Sequence, residues 1–430
     1  MRLPMFSLLT IPDFRRFWIA QVISQLGDGM ARTTITYLVS VLSGDPLAIG
    51  LVIVLQLLPG ALFSIWTGPL ADRYSRRRLM AGAELYSMLC VLAMLPFLHS
   101  LPLLLVLIGL QGIGSAVFDP SRTASVPDLV GSERVTQAVS FSQSTSTVLS
   151  IAGPSAGALL LALDHLPLVF WINGATFLLS ALLLLTLPPL HPAKGGGSGT
   201  APGESYLASL RSGIRSVLAL PVLRFLLLLV LPVCLTVGVI NTLLVAVMTQ
   251  SFSVTASLFG LLQASVGAGA VAGAAFLGPW LLRRSRANWL LVLGAAGIGF
   301  WMILVLPLAA IRPLWGMAPV FVWCIMGGVL NALINVPLNS LFLCATPASY
   351  RGRSASLFKA LTNTSILAGV LGGGLAASYA GPLSTMAAAG CLLVLSICVF
   401  PALAGWRALG AAGGRGRAAY PETEPASAPS

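Results

Sequence analysis

Residues Gly68-Pro69-Leu70-Ala71-Asp72-Arg73-Tyr74-Ser75-Arg76-Arg77-Arg78-Leu79 set the architecture of this chain. Arginines and one aspartate are crowded between two apolar runs, near 48–70 and 79–98. Each run is long enough to cross a bilayer core, which takes roughly 20 apolar residues. A knot of cations between two such runs reads as a short cytoplasmic loop, because Arg and Lys are retained on that side.

The whole chain has the same character. Of its 430 residues, 57% are hydrophobic and 8% are charged, and the mean hydropathy is +0.93. A soluble domain carries about 25% charged residues. A water-soluble enzyme, a fibre and a disordered chain are therefore excluded as readings of the whole. Long continuous apolar runs also argue against an outer-membrane barrel, whose strands alternate apolar and polar residues. The net charge of +12 and pI near 10.1 would suit nucleic acid, but the cations sit between apolar runs and act first as topology signals. Cys90, Cys234, Cys324, Cys344, Cys391 and Cys398 lie in or beside apolar stretches and read as small core residues. With three His, no metal site is expected, nor any other cofactor. No phosphate-binding loop of the Gly-x-x-x-x-Gly-Lys type points to ATP.

Apolar spans fall near 16–42, 48–70, 79–98, 102–120, 138–163 and 167–188, then near 222–249, 257–282, 289–310, 316–343, 355–379 and 382–404. The expected fold is an all-α membrane protein of twelve transmembrane helices in two pseudo-symmetric six-helix bundles, residues 1–188 and 222–404. Between them, residues 189–221 form a glycine-rich linker in which Tyr206–Leu218 can lie on the membrane surface as a helix. Residues 405–430 read as a disordered tail. With both termini cytoplasmic, 22 of the 24 basic residues fall inside, leaving Arg312 outside and Arg32 within the first span. The halves echo one another: Gly68-Pro69 precedes arginines after the second span, and Gly278-Pro279 precedes Arg283-Arg284 after the eighth. Such repeats are a transporter design with substrate held near midplane.

The Gly68–Leu79 loop resembles the signature of the major facilitator superfamily, Gly-x-Leu-x-Asp-Arg-x-Gly-Arg-Arg, with Ser75 in place of its last glycine. The resemblance implies that Gly68, Asp72, Arg73 and Arg77 take part in a cytoplasmic gate. In the fifth span, Gly153-Pro154-Ser155-Ala156-Gly157 is similar to the helix-five motif of the superfamily's drug:proton antiporters. Leu110-Gln111-Gly112-Ile113-Gly114 resembles their helix-four motif, except that Ile108 stands where they carry an arginine implicated in proton handling. Asp13–Trp18 with Gln21–Gly29, Phe118–Arg122 and Arg351–Phe358 resemble the bacterial exporters that include macrolide-efflux and enterobactin-exporter proteins.

Ionisable groups inside a membrane are costly and mark functional candidates. Asp28 lies roughly 18 Å into the first span at 1.5 Å per residue, near midplane, and Arg32 follows one turn later on the same face. The two can bind a substrate's polar groups, exchange a proton, or form a structural pair. Asp119 and Arg122 extend the expected inner gate. Glu84 is expected to pair with a loop arginine, and Lys359 to snorkel to the interface. Gln25 and Gln56 can line the first half of a central cavity, and Asn241, Gln263, Asn331 and Asn335 the second, with Trp323 touching apolar substrate. The same amides can instead join helices to one another.

The expectation is a monomeric secondary transporter of the inner membrane, a proton-coupled exporter of a neutral or cationic amphiphile working by alternating access. Its partners are a small-molecule substrate, protons and the lipid bilayer, not nucleic acid. A metabolite importer or facilitator, a lysophospholipid transporter, a siderophore exporter and a non-transporting receptor stay open.

Overall fold

A computed structural model describes residues 4–163, 165–190, 221–277, 287–345 and 351–399, without the side chains of 4–6, 61–73, 132, 136, 221–226, 275–276, 287–288, 335–345, 351–357 and 359. Nearly all of the linker, with its expected surface helix, and the tail lie outside the described residues.

The described residues are helical, with no strand among them. The N-terminal half holds α1 (Pro12–Ser43), α2 (Pro46–Arg73), α3 (Arg76–Met94), α4 (Leu101–Val130), α5 (Val135–Ala162) and α6 (Leu166–Leu185). The C-terminal half holds α7 (Pro221–Ala246), α8 (Ala256–Ala272), α9 (Ala287–Ile303), α10 (Val305–Trp315), α11 (Ala318–Ala345), α12 (Arg351–Ala380) and α13 (Pro382–Val399). Among the described residues, seven helices are long and apolar enough to cross a membrane, eight if the bent pair α9–α10 counts as one span. α1 has the length but not the hydropathy, because Gln21, Gln25, Asp28 and Arg32 interrupt it.

Local chemistry sets the ends. α1 opens on Pro12, whose missing N–H costs nothing in a first turn, and closes on Gly44 in the left-handed region (φ 61°). Asp45 then caps α2 by accepting from the Leu47 amide at 2.9 Å. Two boundaries differ from expectation. α4 continues to Val130 through Pro120 and Pro127, so Asp119 and Arg122 lie inside the helix instead of closing it. The ninth span breaks at Leu304 with a bend of 50°. Pro307 lacks the N–H that would bond the Ile303 carbonyl, and its ring crowds that carbonyl.

Packing repeats between the halves. α1 packs on α5, α2 on α4 and α3 on α6; α7 packs on α12, α8 on α11 and α9 on α13. The halves meet where α5 touches α8 and α2 touches α12. Glycines allow the closest of these approaches. A Cβ on Gly260 of α8 would strike the Ala158 carbonyl of α5, and one on Gly369 of α12 would strike the Leu235 carbonyl of α7.

The cores of the halves differ. The C-terminal half has one continuous apolar core, around Leu243, Phe259, Trp301 and Met302. The N-terminal half has two. Phe14, Phe17, Met80 and Leu184 cluster at the end bearing the N-terminus, and Ile35, Val39, Met94 and Phe170 at the other. The buried polar residues Ser24, Glu84, Asn173 and Ser180 fall between them. Large apolar side chains such as Leu89, Val148, Leu293 and Leu395 face outward, as a lipid-facing surface requires.

Candidate functional site

A cavity of about 750 Å³ lies between the halves. α1 runs along it and contributes Ser24 and, three to four residues apart on one helical face, Gln25, Asp28, Arg32 and Thr36. α2 adds Gln56, α3 adds Glu84, and α4 adds Gln111, Asp119 and Arg122. The opposite wall is made by Asn241 of α7, Gln263 of α8 and Asn363 of α12. The lining carries carboxylates and guanidinium groups beside these amides.

The cavity is sealed at the end away from the N-terminus. There the Ser40 and Thr249 hydroxyls lie 2.5 Å apart, and the Tyr37 ring packs on Phe259 with centroids 4.9 Å apart. Gly50 of α2 abuts Val370 of α12, and Gly374 of α12 abuts Leu47. Towards the arginine-rich end the lining includes Asp119, whose side chain is 66% exposed.

The charged groups are held in distinct ways. Glu84 is buried and accepts from Ser24 Oγ at 3.1 Å and Ser180 Oγ at 2.9 Å. It therefore joins α1, α3 and α6 and does not pair with a loop arginine. Asp28 accepts from Gln111 Nε2 at 3.4 Å. Arg32 shares its face, yet no ion pair joins the two within 4.0 Å. Asp119 pairs with Arg122 at 3.5 Å, and Arg122 also donates to Gln21 at 3.2 Å. Gly153 packs on Gly29, and Gly157 on Met30, so the helix-five glycines and Pro154 press against α1 beside Asp28.

Thus Gln25, Asp28, Arg32, Gln56, Asn241, Gln263, Asp119, Arg122 and Pro154 come together at one cavity. Trp323 does not join them. It is buried and stacked on Trp301, with centroids 4.3 Å apart, and each indole N–H donates to the other's carbonyl, at 2.7 and 2.9 Å. Asn331 lies on α11 away from the lining. Arg77 donates to the Leu187 carbonyl at 2.5 Å, tying the start of α3 to the end of α6. The side chains of Asp72, Arg73, Asn335 and Lys359, and the surroundings of Gly68, lie outside the described residues. Glu84 and Asn363 were not among the expected cavity residues. Asn363 had a usable signal, being the amide in an otherwise apolar and small-residue stretch of the eleventh span.

Paired helical halves around a polar cavity, sealed at one end, define a membrane transporter and not an enzyme. The chain belongs to the major facilitator family described as transmembrane secretion effectors, whose profile matches residues 4–413. It is 29% identical over 385 residues to the uncharacterized MFS-type transporter YfiS of Bacillus subtilis, covering 87% of this chain and 89% of that protein. It is 28% identical over 377 residues to the enterobactin exporter EntS of Escherichia coli, covering 85% and 86%. In fold it is similar to a bacterial homologue of the iron transporter ferroportin in an inward-facing state, with TM-score 0.65, 16% identity, and 90% and 98% of the two chains covered. It is also similar to the nucleoside transporter NupG, with TM-score 0.66, 15% identity, and 91% and 98% covered.

Proposed function

We propose that this transporter exports an amphipathic small molecule in exchange for protons, by rocking its halves around the cavity. In this reading the chain makes twelve spans as two six-helix bundles, residues 1–188 and 222–404, in the inner membrane with both termini cytoplasmic. The bent pair α9–α10 then counts as one span. The sealed end faces away from the cytoplasm, and the cavity is loaded from inside. The observation that carries the reading is the position of Asp28. It is a carboxylate in the cavity wall, between the two apolar clusters of its half, on the helix against which the antiporter-type glycines pack. A carboxylate there is expensive unless it binds something. Asp119 and Arg122, towards the arginine-rich end, would control entry, together with Asp72, Arg73 and Arg77 of the helix 2–3 loop.

Ligands found by a thermal-shift panel would be followed as flux in proteoliposomes, with and without a pH gradient. A proton-driven exporter accelerates with the gradient and loses that acceleration in Asp28→Asn. Flux that ignores the gradient in the parent protein rejects antiport. The similarity to the enterobactin exporter favours one second reading, export of enterobactin or a compound like it, tested by including enterobactin in the same panel.

A further inference from the structure

Among the described residues, five ionisable side chains line the cavity, and these come from the N-terminal half: Asp28, Arg32, Glu84, Asp119 and Arg122. Three are engaged. Asp119 and Arg122 pair with each other, and Glu84 takes two serine hydroxyls. The remaining two differ. Arg32 is exposed to the cavity and has no ion-pair or hydrogen-bond partner for its guanidinium among the described residues. Asp28, one turn away and within range of the Arg32 charge, accepts a long bond of 3.4 Å from Gln111 and lies beside the Asn173 amide.

Residues at i and i+4 on a helix are close enough to pair, and Glu or Asp N-terminal to Arg is the favourable order. The two make no contact within 4.0 Å, although the charge of Arg32 acts on Asp28. The wall therefore presents an anion and, one turn deeper towards the sealed end, a cation, and the polar lining side chains described in the C-terminal half are the neutral amides of Asn241, Gln263 and Asn363.

We infer that Asp28 and Arg32 together dock the head group of a zwitterionic amphiphile, its ammonium on Asp28 and its carboxylate on Arg32. The planar guanidinium fork matches a carboxylate through two parallel bonds. A purely cationic ligand would satisfy Asp28 but meet the charge of Arg32. A purely anionic ligand would meet the charge of Asp28. Each mismatch leaves one desolvated charge unpaired, which is how a site rejects a wrong partner. The apolar body of the ligand would lie on Leu57, Phe118, Phe177 and Ile366, which share the lining. The inference rests on the reading of this cavity as the substrate site. It also gives that reading a substrate class and a reason for exchange, since the ammonium and a proton compete for the same carboxylate.

The test is equilibrium binding without any gradient, using three probes with the same eight-carbon chain: 2-aminooctanoate, octylamine and octanoate. Calorimetry with the full chain in lipid nanodiscs near neutral pH, corrected with empty nanodiscs, reads each affinity. The parent protein should bind 2-aminooctanoate at least about tenfold more tightly than either singly charged probe. Arg32→Gln should lower 2-aminooctanoate affinity about tenfold while leaving octylamine binding unchanged or tighter, which also shows that the variant is folded. Arg32→Lys should retain part of the preference. Octylamine binding as tightly as 2-aminooctanoate, an unchanged 2-aminooctanoate affinity in Arg32→Gln, or no binding of 2-aminooctanoate to the parent protein each overturns the inference. No gradient enters the measurement, so proton exchange can fail or stand independently in the flux experiment.

Discussion

The Ser24 hydroxyl of α1 donates to the Glu84 carboxylate of α3 at 3.1 Å, and through Glu84 it is linked to Ser180 of α6. This tie crosses the N-terminal half between its two apolar clusters. Glu84→Ala removes the acceptor and leaves two buried hydroxyls to find weaker partners. The expected cost is about 1–3 kcal/mol, seen as a lower thermal unfolding midpoint. Glu84→Gln keeps the shape and an accepting oxygen, so its loss should be smaller. Equal unfolding midpoints for Glu84→Ala and the parent would remove the tie from the account.

Gly260 governs the sealed end. Its missing side chain lets α8 rest on the Ala158 carbonyl of α5, so Gly260→Val should push the halves apart there. Gly260 contributes no side chain to the cavity, and the variant should shift the balance of states without removing a polar lining group. Thr36→Cys, placed in the wall near that end, reports the change. Its labelling by a membrane-impermeant maleimide, applied from the side of the sealed end, should rise roughly tenfold, which corresponds to about 1.4 kcal/mol of bias. Unchanged labelling would mean that this contact does not hold the end shut.

Trp323 should matter for stability and not for ligand choice. Trp323→Phe keeps a ring against Trp301 but loses one of the two indole-to-carbonyl bonds. A loss of about 1–3 kcal/mol in stability is expected, because the Trp301 carbonyl is left short of a donor. Ligand affinities measured in nanodiscs should stay within about twofold of the parent protein, the scatter expected for a site without shared partners. A large change in affinity would return Trp323 to the substrate site.

Arg76 opens α3 with a guanidinium that is 10% exposed and reaches Asp128 at 2.8 Å and the Ala124 carbonyl at 2.7 Å. It therefore locks the end of α4 to the start of α3. Asp128→Ala strands that cation, at an expected cost of about 2 kcal/mol, less than a fully buried pair because Asp128 is 29% exposed. Replacing both, as Arg76→Met with Asp128→Leu, should recover most of the loss, since an apolar pair carries no desolvation penalty. Thermal unfolding of the single and double variants checks both statements. A double variant no better than Asp128→Ala would contradict them.

Much of this was legible in the chain itself. Helices such as α5 and α6 begin and end within a few residues of the apolar runs, because burying a backbone in lipid requires a helix wherever the run is long enough. Asp28, Arg32 and Gln25 were visible because a polar group inside an apolar run is conspicuous. Glu84 was equally visible but misplaced. Its partner Ser180 is 96 residues away, and nothing in the spacing of α3 brings the two together. Trp323 was misread for a similar reason: its place on α11 was clear, but the Trp301 ring that covers it belongs to another helix.

The amino-acid order alone places this chain in a membrane as helices and sets where most of them start and stop. It also determined which few charges would be embedded. Those properties depend on runs of neighbouring residues and on the cost of exposing peptide groups to lipid, both of which are local. Which embedded charges find partners is set by the packing of the helices. Helical spacing allows Asp28 and Arg32 to pair, and the folded chain keeps them apart. It gives Asp28 to Gln111 and leaves Arg32 facing the cavity. That outcome depends on how α1, α4 and the opposite half are placed, and packing between helices distant in sequence sets it.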